Sequence, residues 1–166
     1  MALLTVISAV IHELGHITCF FCLRKLSPKI RGDLSGFRIK SDINLSYSQK
    51  ILFYASGPMA NFLFCIIFFP INTLTIADLF VTVNFATAVS NLLPIIGYDG
   101  YGILYTLIDR FQCNSLVRVL FLVSMAFSFI FCILSLYLID RYGGGYWIYG
   151  IFIVMAIKHI SEELKV

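Results

Sequence analysis

The sequence predicts an α-helical integral membrane protein with about five transmembrane helices and a small β-hairpin or sheet at the cytoplasmic surface. Three observations predict it. Sixty per cent of the 166 residues are hydrophobic, and the mean hydropathy is +0.92. Only 13% are charged, against roughly a quarter in soluble domains. The charges are also segregated: residues 51–77, 79–98, 119–139 and 142–157 contain no Asp, Glu, Lys or Arg.

A helix that crosses the hydrocarbon core needs about 20 mostly apolar residues. The uncharged stretches, with the apolar run Met1 to Leu23, predict spans over 1–23, 49–71, 74–94, 115–139 and 144–160. The last rests on an uncharged stretch of 16 residues. The first run is no cleaved signal peptide, since it lacks a basic leading region and a small-residue cleavage site. Together these form a single membrane domain, 1–166, with no appended soluble domain. Its core lies over about 1–111, a β-rich loop over about 24–48, and further helices over about 115–160.

Net charge is only +3, yet seven of the twelve Lys and Arg residues fall between Arg24 and Lys50. Asp33 and Asp42 are the acidic residues among them. The cluster joins two spans and lacks any recognition fold, so a nucleic-acid partner is not expected. The positive-inside rule places this loop in the cytoplasm, the N-terminus outside and the C-terminus inside. The richness in Phe, Ile and Lys fits a bacterial cytoplasmic membrane. Within the loop, Phe37 to Tyr47 alternates apolar and polar side chains with one break at Ser41, which predicts a strand. Leu26 to Arg31 is a candidate partner strand, with a turn at 32–36. An exposed edge there could accept an added strand. The five cysteines include Cys19-x-x-Cys22, but both lie on an apolar helix without a second pair, so all five are expected to pack as small apolar residues.

Residues 12–16 read His12-Glu13-Leu14-Gly15-His16 inside the first apolar run. On a helix, this spacing puts two imidazoles one turn apart on one face, able to share a zinc ion, with Glu13 beside them as a general base. The pattern also occurs by chance on solvated helix faces. Here the flanks are Val10, Ile11, Ile17 and Phe20, which do not suit a solvated face. Ionisable groups in such a segment cost several kcal/mol unless compensated, and a bound metal compensates. Gly15 costs a helix about 1 kcal/mol, which points to close packing or metal access.

Two histidines leave a catalytic zinc site one protein ligand short. The candidate third ligand is Asp99, just after the uncharged stretch 79–98. Pro94 and Gly97 break the helix before it, and broken helix at membrane depth survives only inside protein or beside a watery cavity. The alternative is an interfacial Asp that caps a helix beginning near Gly100.

With these motifs the chain resembles the site-2 protease family of intramembrane zinc metalloproteases. The family pattern of H-E-x-x-H and N-x-x-P-x-x-x-x-D-G matches His12 to His16 and Asn91 to Gly100, and its G-P-x-x-N matches Gly57-Pro58-Met59-Ala60-Asn61 between them. The resemblance covers about residues 5–111. Without an inserted PDZ domain or a CBS domain, the chain is most similar to the compact branch that includes the sporulation transcription-factor-processing protease. It departs from the family in having Tyr101 where a second Gly is common, with Gly102 one place later. Many members also place a further span before the H-E-x-x-H helix, which leaves open a minimal form or a start placed too far downstream.

The resemblance implies a three-helix catalytic core in which His12, His16 and Asp99 hold Zn²⁺ and Glu13 is the general base. It implies hydrolysis of peptide bonds within or next to transmembrane segments of a membrane-embedded protein or peptide substrate. Asn91 and Asn61 are candidate substrate-binding amides, with helix packing as their ordinary role. Gly57 and Pro58 are expected to bend their helix and permit close approach. A regulatory membrane partner is left open. Two other classes compete: a divalent-metal transporter, which needs ligands strung across the bilayer, and a catalytically silent membrane scaffold, whose mark is a lost Glu or His.

Overall fold

Helix α1 spans Ala2–Arg24, and its buried side is the polar one. Ser8, His12 and His16 share that side with Ile11 and Phe20, at three- and four-residue spacing. Leu3, Val6, Val10, Leu14 and Phe21 are exposed on the other side. A soluble helix has the opposite distribution. Apolar outside and polar inside is what lipid as solvent requires.

The computed structural model describes residues 2–24, 29–33, 36–40, 45–69 and 75–142. After α1 come two strands, β1 (Lys29–Asp33) and β2 (Gly36–Lys40), which pair antiparallel with Ile30 opposite Ile39 and Arg31 opposite Arg38. The expected strand through Tyr47 does not extend so far. Ser46 caps a helix there: its hydroxyl accepts from the Gln49 N–H at 3.4 Å, while the Gln49 side chain accepts from the Ser46 N–H at 3.0 Å. This reciprocal capping box satisfies two otherwise orphaned donors and starts α2, Tyr47–Phe68.

Helix α2 is the hub of the fold. It packs against α1, against α3 (Thr75–Asn91) and against α4 (Asp99–Arg110). Gly57, Asn61 and Cys65 recur every four residues along its buried side, beside Pro58. Helix α5, Asn114–Tyr142, packs mainly on α4.

Among the described residues three helices, α1, α2 and α5, are long and apolar enough to cross a membrane. Helix α3 is apolar but has 17 residues, a length of about 25 Å. The expected span 74–94 is cut at Asn91 because Pro94 has no N–H to continue the ladder and disfavours helix in the residue before it. The expected span 144–160, with Tyr146, Trp147, Tyr149 and His159, lies outside the described residues.

The chain between α3 and α4 is a tight, protein-bound turn. Leu92 N–H is shared between Ala88 O and Val89 O, Ile95 N–H reaches Leu93 O at 2.8 Å, and Tyr98 N–H reaches Ile95 O at 2.9 Å. Gly97 takes φ 96°, a conformation that costs glycine least. The Ile96 N–H, which the turn leaves without a backbone partner, donates to the buried Ser124 hydroxyl of α5 at 2.8 Å. Gly100 then lies so close to the Leu92 and Leu93 carbonyls that no Cβ would fit. These constraints fix where α4 begins.

Ser124→Ala removes the acceptor of a buried N–H and is expected to destabilise the fold by about 1–3 kcal/mol. Thermal unfolding in detergent measures it, and an unchanged midpoint would show that the turn is anchored elsewhere.

Candidate metal centre

His12 and His16 stand one helical turn apart, and their Nε2 atoms approach to 3.2 Å with the rings nearly perpendicular. Asp99 Oδ2 completes a triangle with them, 3.0 Å from His12 Nε2 and 3.2 Å from His16 Nε2. All three side chains are largely buried. The distances are those of ion pairs, yet no ring N–H is aimed so as to form a hydrogen bond at Oδ2, which is left as a buried oxygen without a donor.

The outer nitrogens explain why. His16 Nδ1 lies 2.8 Å from Phe53 O, a backbone carbonyl that can only accept. Its Nδ1 therefore carries a proton, and in the neutral ring Nε2 keeps its lone pair. Ser56 Oγ, 3.3 Å from the same nitrogen, gives its own proton to Phe53 O at 2.6 Å. His12 Nδ1 lies 3.2 Å from Asn61 Oδ1. The Asn61 amide orientation follows from its neighbours, because its nitrogen faces the acceptors Ser8 O and Asn84 Oδ1. Both imidazoles thus donate outward at Nδ1 and present lone pairs inward at Nε2.

Three inward electron-rich atoms suit a cation. Zinc takes imidazole and carboxylate ligands at 2.0–2.2 Å in a tetrahedron, which sets ligand atoms roughly 3.3–3.6 Å apart. The observed edges of 3.0–3.2 Å lie just below that spacing, so a small outward shift of the three side chains admits the ion. Among the described residues, His12, His16 and Asp99 are the group that could hold a metal ion.

Glycine makes room for this trio. A Cβ on Gly57 would collide with His16 Nε2 and come within 2.7–2.8 Å of the His12 ring. A Cβ on Gly15 would meet Ser56 O and would lie 2.9 Å from the Ala60 methyl. The two glycines therefore bring α1 and α2 together at the depth of the histidines, so close packing is what Gly15 provides. On the other side Gly102 accepts the Tyr54 ring, a contact that holds α4 against α2.

Asp99 occupies the first turn of α4 and does not cap it. Tyr98 is the N-cap residue, and no side chain makes the capping bond. The carboxylate is free to reach the histidines and sits at the positive end of the helix dipole. Glu13 is half-buried, and its charge acts on His16, His12 and Asp99.

No protein-family model and no curated protein matches the chain. Among solved structures, the site-2 protease from Methanocaldococcus jannaschii superposes with a TM-score of 0.64 at 19% identity, over 98% of this chain and 75% of that one. The chain has the site-2 protease fold.

Within the site-2 protease fold of this chain, the two candidate amides fall in different places. Asn61 is fully buried, and its amide is committed to His12, Ser8 and Asn84. Asn91 ends α3, and its amide N–H donates to Thr87 O of the same helix at 2.9 Å. Cys19 is half-buried, Cys22 exposed and Cys65 buried, and none of the five cysteines forms a disulfide. Sequence reasoning missed Ser8 and Asn84, both fully buried beside Asn61. The available signals were spacings: Ser8 precedes His12 by four residues, and Asn84, Thr87 and Asn91 share one face of α3.

Gly57→Ala drives a methyl group into both imidazoles. The expected outcome is zinc affinity about 10–100-fold weaker, the range seen when groups that orient ligands are disturbed. Chelator competition on the purified chain measures it, and parental affinity in the alanine variant would show that the histidines are not held against α2.

Proposed function

We propose that this protein is an intramembrane zinc metalloendopeptidase of the site-2 type, which hydrolyses peptide bonds within or next to transmembrane segments of membrane-bound proteins or peptides. The observation that carries the proposal is the convergence of His12 Nε2, His16 Nε2 and Asp99 Oδ2 inside an apolar helical protein, with Glu13 beside them. The fold shared with a site-2 protease supports the same reading.

His12, His16 and Asp99 would hold the ion, leaving one position for the reaction. A zinc ion there supplies Lewis acidity to a substrate carbonyl and acidifies water next to it. Glu13 takes the proton from the attacking water on its carboxylate and delivers it to the leaving amine. Phe53 O and Asn61 Oδ1 hold the imidazoles in the tautomer that leaves both Nε2 atoms available. Apolar helices around the site keep the local dielectric low, which strengthens each of these interactions.

A substrate helix hides its carbonyls in its own hydrogen bonds, so a segment has to unwind before cleavage. The hairpin β1–β2 offers strand edges to such an extended segment. Asn91, eight residues before Asp99 in the sequence, would bind substrate backbone or steady the turn that leads to Asp99. The basic loop lies in the cytoplasm by the positive-inside rule, so the N-terminus lies outside and the C-terminus inside, in a bacterial cytoplasmic membrane. The lack of an inserted domain between His16 and Asp99 favours the branch with the sporulation transcription-factor-processing protease. Transport of a divalent ion is disfavoured because the donor atoms gather at one point.

Glu13→Gln keeps the ligands and removes the base. Zinc is expected to stay bound while cleavage falls about 10²–10⁴-fold. Comparison of membrane-protein fragments from cells carrying the native chain or the variant reads this, and identical fragment patterns would refute the role of Glu13. Asp99→Ala is expected to lose stoichiometric zinc in elemental analysis; a full complement of metal would place the third ligand elsewhere.

A further inference from the structure

We propose that Asn84 and Thr87 on α3 are positioning residues that fix the tautomer of His12 through Asn61, although neither touches the metal trio. The proposal rests on the metal-site reading above and concerns residues that the H-E-x-x-H, D-G and G-P-x-x-N motifs do not include.

A directed chain of hydrogen bonds crosses three helices. His12 Nδ1–H donates to Asn61 Oδ1 at 3.2 Å. The Asn61 amide nitrogen donates onward, to Asn84 Oδ1 at 2.9 Å, Ser8 Oγ at 2.9 Å and Ser8 O at 3.1 Å. The two side-chain branches, through Asn84 and the Ser8 hydroxyl, continue in the same sense. Asn84 Nδ2 donates to Phe80 O at 2.9 Å, which turns its oxygen towards Asn61. Ser8 Oγ donates to Thr87 Oγ1 at 2.9 Å, and Thr87 donates to Val83 O at 2.8 Å. Both branches therefore end on backbone carbonyls of α3, which accept and cannot donate.

That direction decides the proton on His12. If the Asn61 amide were reversed, its oxygen would face Ser8 O and Asn84 Oδ1, two acceptors in an apolar interior. Its nitrogen would face His12 Nδ1 and force the imidazole proton to Nε2, where it blocks the lone pair needed by a metal. Leaving such a buried polar group without a partner costs about 1–3 kcal/mol. Asn61, Asn84 and Ser8 are all fully buried, so water cannot relieve the mismatch. Asn84 and the Thr87 hydroxyl thus remove the freedom of Asn61 to flip, and α3 reports to the metal site without reaching it.

The test uses the full chain in detergent, with zinc affinity by chelator competition and the ligand-field spectrum of the Co²⁺ form. Asn84→Leu and Thr87→Val, singly and together, are placed in the native chain and in an Asn61→Leu background. In the native background the pair is expected to weaken zinc about tenfold or more, as loss of orienting groups does elsewhere, and to alter the Co²⁺ spectrum. In the Asn61→Leu background it is expected to add nothing. An equal loss in both backgrounds would reduce the α3 residues to packing and overturn the proposal. So would native affinity in the paired variant while the parent binds zinc and cleaves. Thr87→Ser retains the hydroxyl and is expected to restore affinity; a loss equal to that of Thr87→Val would also overturn it. A parent chain that binds no zinc would overturn the metal-site reading and this proposal together.

Discussion

Two imidazole nitrogens and a carboxylate oxygen, all electron-rich, lie within 3.2 Å of one another in an apolar surround. Such an arrangement is tolerable only when positive charge enters among them. The outer nitrogens cannot relieve it, because Phe53 O and Asn61 Oδ1 already hold their protons. The rest of the fold serves to keep these three atoms facing inward.

Each helix contributes one constraint. Helix α1 supplies both histidines at one-turn spacing. Helix α2 comes close enough, through Gly57 against Gly15, to grip both rings from behind. Helix α3 closes the polar network around Asn61. The turn from Asn91 to Asp99, pinned by Ser124 and folded under Gly100, delivers the carboxylate from the opposite side. No one of these contacts is strong alone. Together they leave Asp99 Oδ2 without a donor at the point where the histidine lone pairs meet.

Much of this was legible before any coordinates. The H-E-x-x-H spacing fixes the histidines because α-helical geometry is local, and the apolar flanks exclude a solvated face. The Pro94 and Gly97 break was legible because both residues restrict the backbone for known steric reasons. Gly57 signalled close approach, and the structure shows what approaches. The alternation of apolar residues through Tyr47 does not carry the strand that far, because the Ser46–Gln49 capping box outweighs it. The role of Asn61 was not legible, since an amide in an apolar helix fits substrate binding, packing and ligand orientation alike. The structure adds the hydrogen bonds of Asn61 to Ser8 and Asn84, on two other helices. Long-range pairing of this kind leaves a spacing in the sequence but no direction.

The most direct measurement is X-ray absorption at the zinc edge on the purified full chain. The account predicts one zinc per chain, bound only by nitrogen and oxygen at about 2.0–2.2 Å, with the scattering of two imidazoles. A sulfur shell near about 2.3 Å, a single imidazole, or the lack of stoichiometric zinc would contradict it.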